Sequence, residues 1–198
     1  LALAPESVET LGLLVSAEGL ESEEVAEHLS RLAELTPVVE QRVGALYRLG
    51  SLQLGVLARA DAGIETFKTL RSVAPTDLRP LTVLGRNYEL NQNWSDLEDV
   101  LQARIPLVEG HERGAAYLQL ARAQAEQARW ADANRNLGLA TEFGVSLNEV
   151  AELEESILER SEDWIALAAY MEGRIADEDG QRLSRSDCQR LATLYQSE

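Results

Sequence analysis

The sequence predicts an all-α protein, an α-solenoid of antiparallel helix pairs amounting to about five and a half repeats. Three observations carry this prediction. A column of positions at Leu11, Leu49, Leu84, Leu120, Leu153 and Leu191 recurs at spacings of 38, 35, 36, 33 and 38 residues, with a mean of 36. A second column, Trp94, Trp130 and Trp164, recurs at 36 and 34. No run of period-two alternation is long enough for a strand, whose side chains point to opposite faces in turn.

The elements follow from these columns in order. Three residues before each column leucine stands Val8, Leu46, Leu81, Tyr117, Val150 or Cys188, and four after it stands Val15, Gln53, Tyr88, Gln124, Ile157 or Tyr195. Positions i, i+3 and i+7 share one helical face, so each set marks the first helix of a pair, helix A. Each tryptophan opens the second helix, B, with Leu97, Ala133 or Leu167 three residues on and Leu101, Leu137 or Met171 seven on. In the first two units Val25/Leu29/Leu32 and Ile64/Phe67/Leu70 fill the same role. Pro37, Pro75 and Pro106 close B helices, because proline cannot continue the backbone ladder. Ser146 with Glu149 forms a capping-box pattern, Ser184 with Asp187 a similar one, and Gly63 and Gly110 fall at or near turns. Helices are expected at 6–17, 22–35, 39–57, 62–73, 77–91, 94–105, 111–127, 130–143, 147–160, 163–177 and 182–196. The units run about 5–38, 39–76, 77–110, 111–146 and 147–180, with a partial one at 182–198.

Composition excludes several classes. A chain of 198 residues can bury about 70% of its unfolded surface, enough for one array without staples. The net charge is −16, from 18 basic and 34 acidic residues, which argues against nucleic acid, since that binding rests on neutralising phosphates. One cysteine, Cys188, excludes an internal disulfide and leaves the redox compartment open. No apolar stretch reaches the ~18 residues of a membrane span. Lys68 is the only lysine and every other basic residue is arginine, a bias that fits a GC-rich bacterial genome. The chain starts at Leu1 and stops at Glu198 straight after an apolar helical pattern. Its ends are therefore expected to continue into a longer chain or to contact a neighbour.

Leu46, Leu49-Gly50, Phe67 and Pro75 in one unit resemble the tetratricopeptide repeat family. So do Leu81, Leu84-Gly85, Tyr88, Leu97 and Leu101 in the next, and Tyr117, Leu120-Ala121, Ala133, Leu137 and Ala140 in the third. The resemblance implies a right-handed superhelix of helix pairs, similar to slices of long bacterial scaffolds. Leu97 and Leu167 are larger than the small residue the family places in helix B. Glu154 stands where a small residue lets helices approach. An unpaired buried carboxylate costs several kcal/mol, so that helix is expected to be rotated or its unit distorted.

Little in the chain points to chemistry. His28 and His111 lie far apart in the repeat frame, and zinc needs clustered ligands. Cys188 fills a packing column, and the tryptophans stand where packing explains them. Glu21, Glu23, Glu24 and Glu27 suit a helix N-terminus, where carboxylates meet the positive end of the dipole. Asp177-Glu178-Asp179 lacks the glycine and spacing of a calcium loop. No Gly-rich phosphate loop and no Ser/His/Asp arrangement is present. The reading is therefore no enzyme, no catalytic residues, no metal and no cofactor. Charge is uneven, −5 over 1–75, −3 over 76–146 and −8 over 147–198, and both solubility and a basic partner suit the last.

The remaining candidate is the groove that the family lines with A helices. Its positions here are Tyr47, Ser51, Leu54, Thr82, Arg86, Glu89, Leu118, Arg122 and Ala125, with Arg79 one turn further back. The family's lysine- and asparagine-based carboxylate clamp is not reproduced. Arg86 and Arg122 hold equivalent positions in adjacent repeats. Two readings stand: a structural lattice with Glu89, Glu126 or Glu155, or capture of an acidic peptide. The function expected is a non-enzymatic interaction scaffold for a protein or peptide partner, with no nucleic acid and no membrane insertion. The alternative, from the resemblance, is a periplasmic span of an exopolysaccharide export machine that recruits modifying enzymes or guides polymer.

Overall fold

A helix with one apolar stripe must bury that stripe against a neighbour, so the expected helices have to pack pairwise. The computed structural model describes residues 7–9, 11–12 and 23–177, and those residues form helices joined by short turns, with no strand among them. Nine α-helices are described: α1 Glu23–Leu35, α2 Val39–Leu54, α3 Ala60–Val73, α4 Leu78–Leu90, α5 Trp94–Arg104, α6 Gly110–Glu126, α7 Trp130–Glu142, α8 Leu147–Arg160 and α9 Trp164–Asp177. Each end lies within three residues of the expectation. A 3₁₀ turn, Ile105–Leu107, follows α5 where Pro106 bars the α-ladder. Leu11, the first member of the leucine column, is buried. Most of the helix expected at 6–17 and all of that at 182–196 lie outside the described residues, together with Cys188, the Ser184/Asp187 cap and Glu178-Asp179. The chain divides into two compact units, Leu1–Asn93 and Trp94–Glu198.

In the first unit α2 packs against α1 and α3, and α3 against α4. Val25, Leu29, Leu46, Leu49, Phe67, Leu70, Leu81 and Leu84 form its core. The α2–α3 approach is close enough to need glycine. A Cβ on Gly50 would lie 2.8 Å from the Phe67 ring, and one on Gly63 would lie 2.6 Å from the Leu54 side chain. Gly63 is thus no turn residue. The helix starts two residues before the expected boundary and uses the missing side chain as a contact surface.

In the second unit α6 packs against α5, α7 and α8, and α8 against α7 and α9. Its core is rich in alanine: Ala121, Ala125, Ala133 and Ala140 surround Leu137, Val145, Val150 and Ile157. Tyr117 stacks on Phe143 at 5.6 Å and Trp130 packs on the cluster's edge. Small side chains on both helices let the backbones approach.

The turns into α3, α5, α7 and α9 repeat one device. Ala58, Gln92, Ala128 and Glu162 each stand two residues before the next helix with positive φ, from 50° to 58°. At three of these turns the residue that follows donates its N–H five residues back: Asn93 to Tyr88 O at 2.8 Å, Arg129 to Gln124 O at 2.9 Å and Asp163 to Leu158 O at 3.2 Å. This is the Schellman arrangement, which satisfies carbonyls left over at a helix end. An L-residue pays for left-handed backbone with Cβ crowding that glycine avoids. Ala128→Gly should therefore stabilise the chain by about 1 kcal/mol, read as a midpoint shift in chemical denaturation with unchanged helicity. A lower midpoint would refute the assignment.

Candidate partner-binding surface

The groove candidates of the first unit sit on α2 and α4. Tyr47 is half-buried, edge-on to Phe67 at 6.0 Å, and the Arg79 guanidinium lies over its ring at 4.8 Å from the centroid. Asp77, the N-cap of α4, holds Arg79 in place. Its Oδ1 accepts the Arg79 backbone N–H at 2.9 Å, and its carboxylate accepts Nε at 3.0 Å and Nη2 at 2.6 Å. The side-chain hydrogen bond from Arg79 keeps the Asp77 carboxyl below its ordinary range, and the same bond raises Arg79. Ser51 donates to Tyr47 O at 2.8 Å and Thr82 to Leu78 O at 2.9 Å, so both hydroxyls are committed to their own helices. Tyr47, Ser51 and Arg79 thus come together. Arg86 and Glu89 are both exposed and make no ion pair with each other.

In the second unit Leu118 is half-buried against the core cluster, and Arg122 is exposed with no ion pair among the described residues. Glu126 does not serve Arg122. It accepts Arg160 Nη1 at 2.8 Å, and that guanidinium lies over Trp130 at 5.2 Å. The lattice that would pair Arg86 with Glu89 and Arg122 with Glu126 is therefore not formed. Ala125, expected on the groove, is 1% exposed and belongs to the core, because α6 packs against three neighbours.

One polar centre was not foreseen. Glu98 on α5 is 7% exposed, and its carboxylate accepts four donors. Gln102 and Gln124 reach Oε1 at 3.1 and 3.0 Å, while Arg129 and Gln127 reach Oε2 at 2.6 and 3.4 Å. Asn136 of α7 donates to Gln124 Oε1 at 2.6 Å, extending the network. Arg129 also binds Asp132, whose side-chain hydrogen bond lowers the Asp132 carboxyl and raises the guanidinium. Gln124, a glutamine in a packing column, was the available signal. Removing the hub leaves several donors unpaired, each costing about 1–3 kcal/mol when buried. Glu98→Ala should lower stability by about 2 kcal/mol, measured by urea unfolding, with a smaller loss for Glu98→Gln.

Among the described residues no three His, Cys, Asp or Glu side chains gather as a metal site, and no helix is long and apolar enough to cross a membrane. No family model and no curated protein matches the chain. Among solved structures, MamA from residue 41 to its end, from Desulfovibrio magneticus RS-1, is similar in fold. The match has 14% identity and a TM-score of 0.53, and it covers 91% of this chain and 99% of that one. The fold is tetratricopeptide-like. In that frame α2, α4, α6 and α8 are A helices, and α1, α3, α5, α7 and α9 are B helices.

The tetratricopeptide-like frame also locates the irregularity at Glu154. Tyr88 and Gln124, which accept the Schellman bond, lie four residues after Leu84 and Leu120, but in α8 the acceptor Leu158 lies four after Glu154. The buried stripe of α8, Val150 and Ile157, runs one residue ahead of that register. The helix is rotated by one residue against its turn, leaving Glu154 half-buried instead of enclosed. Burial raises its carboxyl above the ordinary 4.5. A raised folded-state value means the cost is absent below the unfolded value and grows as pH rises through the folded one. Glu154→Gln should thus raise the melting temperature at neutral pH, and the gain should vanish on acidification below about pH 4. An equal gain at both pH values would contradict burial as the cause.

Proposed function

We propose that the chain is a non-enzymatic interaction scaffold that holds partner segments on the A-helix face of each of its two units. The observation that carries this reading is the state of Arg86 and Arg122. Both are exposed at equivalent repeat positions, and the neighbouring glutamates that could have neutralised them do not. A free guanidinium presents a planar fork that matches a carboxylate in bidentate fashion. Tyr47 and Leu118, each half-buried, offer apolar contact to the same kind of segment, and Arg79 braces Tyr47 from outside. Helical repeats display such faces on a rigid stack, which suits recognition of a segment. MamA shares the fold alone and lends no partner.

The test is a fluorescence-anisotropy screen of synthetic peptides in which acidic and apolar residues alternate, with neutral and basic counterparts as controls. The acidic set should bind. Arg86→Ala combined with Arg122→Ala should weaken it by up to about thirtyfold, since exposed ion pairs contribute about 0–1 kcal/mol each. Helical content and melting temperature should stay nearly unchanged. Equal binding by the double variant, or collapse of its fold, would return both arginines to a structural role.

A further inference from the structure

Arg79 and Arg86 stand seven residues apart on α4, so they share one face and lie about 10 Å apart along its axis. They differ in what surrounds them. Arg86 is exposed, and Glu89 does not neutralise it. Arg79 is held on two sides. Asp77 accepts Nε at 3.0 Å and Nη2 at 2.6 Å along one edge of the guanidinium, and the Tyr47 ring covers one face at 4.8 Å. Asp77 is itself fixed as the N-cap of α4, with its side chain 15% exposed.

A guanidinium carries five N–H groups, and Asp77 engages only those on the Nε edge. The outer edge, formed by Nη1 and the second N–H of Nη2, has no acceptor among the described residues, and the Arg79 side chain is 50% exposed. That edge is a fork of donors whose direction is already set, so little freedom is lost when an acceptor arrives. Its charge is already met. The side-chain hydrogen bond from Arg79 keeps the Asp77 carboxyl below its ordinary range, so both partners are ionised at neutral pH and the pair as a whole is neutral. A second carboxylate at the fork would face that of Asp77 across one guanidinium, whereas a neutral carbonyl would not.

We infer that Arg79 is a main-chain subsite of the A-helix face, donating from its outer edge to a backbone carbonyl of the bound segment, and that Asp77 positions it and keeps it from selecting a carboxylate. This inference rests on the A-helix reading of the first unit. An extended segment advances about 3.3 Å per residue, so one whose carboxylate meets Arg86 brings a carbonyl about three residues away to Arg79. A segment laid on a protein face loses water from some of its carbonyls, and each needs a donor in exchange. One arginine then reads charge, and the other reads main chain.

The experiment measures binding of the alternating acidic and apolar peptides by fluorescence anisotropy at about 0.05 and 0.5 M salt. Asp77→Asn with Arg79→Ala removes the fork without changing the local net charge, and asparagine caps a helix as well as aspartate does. This double variant should weaken binding about two- to tenfold, by the same factor at both salt levels. Arg86→Ala should also weaken binding, with a loss that shrinks at high salt. Asp77→Asn alone leaves the Arg79 charge unmet, so it should tighten binding by up to about fivefold at low salt, a gain that fades at high salt. A salt-sensitive loss or no loss in the double variant, or no salt-sensitive gain for Asp77→Asn alone, would overturn the subsite. A chain that binds none of the peptides sinks the A-helix reading and this inference together. Binding that ignores the changes at Asp77 and Arg79 sinks this inference alone.

Discussion

Two helices can share a core only if their backbones come near enough for side chains to interlock, and here that distance is set by what one helix lacks. Gly50 gives up a side chain to the Phe67 ring, and Gly63 gives one up to Leu54. In the second unit alanines do the same work from both sides, with Ala121 and Ala125 on α6 facing a cluster that contains Ala133 and Ala140. Close packing of this kind gains dispersion contacts that a void would forfeit. It also dictates the turns, since closely packed antiparallel helices leave only a few residues to reverse the chain. The left-handed residues at Ala58, Ala128 and Glu162 are the geometric consequence.

Polar residues inside the packing columns obey the same constraint by a different route. Gln53 and Gln124 both stand four residues after a column leucine, where apolar contact would be ordinary. Each is matched across its helix pair, Gln53 by Thr66 at 2.7 Å and Gln124 by Asn136 at 2.6 Å. Burial of an amide is tolerated only when its hydrogen bonds are replaced, so the position selects a partner and not merely a shape. In the second unit the same glutamine hands a donor to Glu98, which extends pairing beyond one helix pair to α5. Glu154, with no such partner, takes the other solution: its helix turns by a residue and leaves the carboxyl partly in water.

What the sequence made legible follows from range. The leucine and tryptophan columns report on contacts within a helix and its immediate pair, so helix boundaries came out nearly right. The packing role of Gly63 was missed because a glycine near a helix start reads as a turn signal unless the partner helix is known, and Leu54 lies nine residues back. Ala125 was assigned to a surface because a helix packed on one side has one inner face, whereas α6 is packed against three helices. Glu98 could not be found from its own neighbourhood, since its partners Gln124, Gln127 and Arg129 lie 26, 29 and 31 residues away. Of the candidate surface, the repeat frame named Tyr47 and Arg79 as groove positions. Neither their contact nor the Asp77 brace that orients it was legible there.

The same argument explains why Glu126 stays unpaired with Arg122. Spacing of three or four residues along a helix offers an ion pair worth only a few tenths of a kcal/mol. A contact one repeat away competes with it at no extra cost once the fold exists, and adds a ring to the geometry. Glu126 is engaged by Arg160, 34 residues on, with Trp130 beneath the guanidinium. Glu23 is engaged by Arg59, 36 residues on. Both separations match the repeat length, so these acidic side chains join successive repeats instead of neutralising their own helices. Arg122 on α6 is left without Glu126 by that exchange. The stacking of repeats, through the carboxylate it recruits, is what leaves that charge available on the surface proposed to meet a partner.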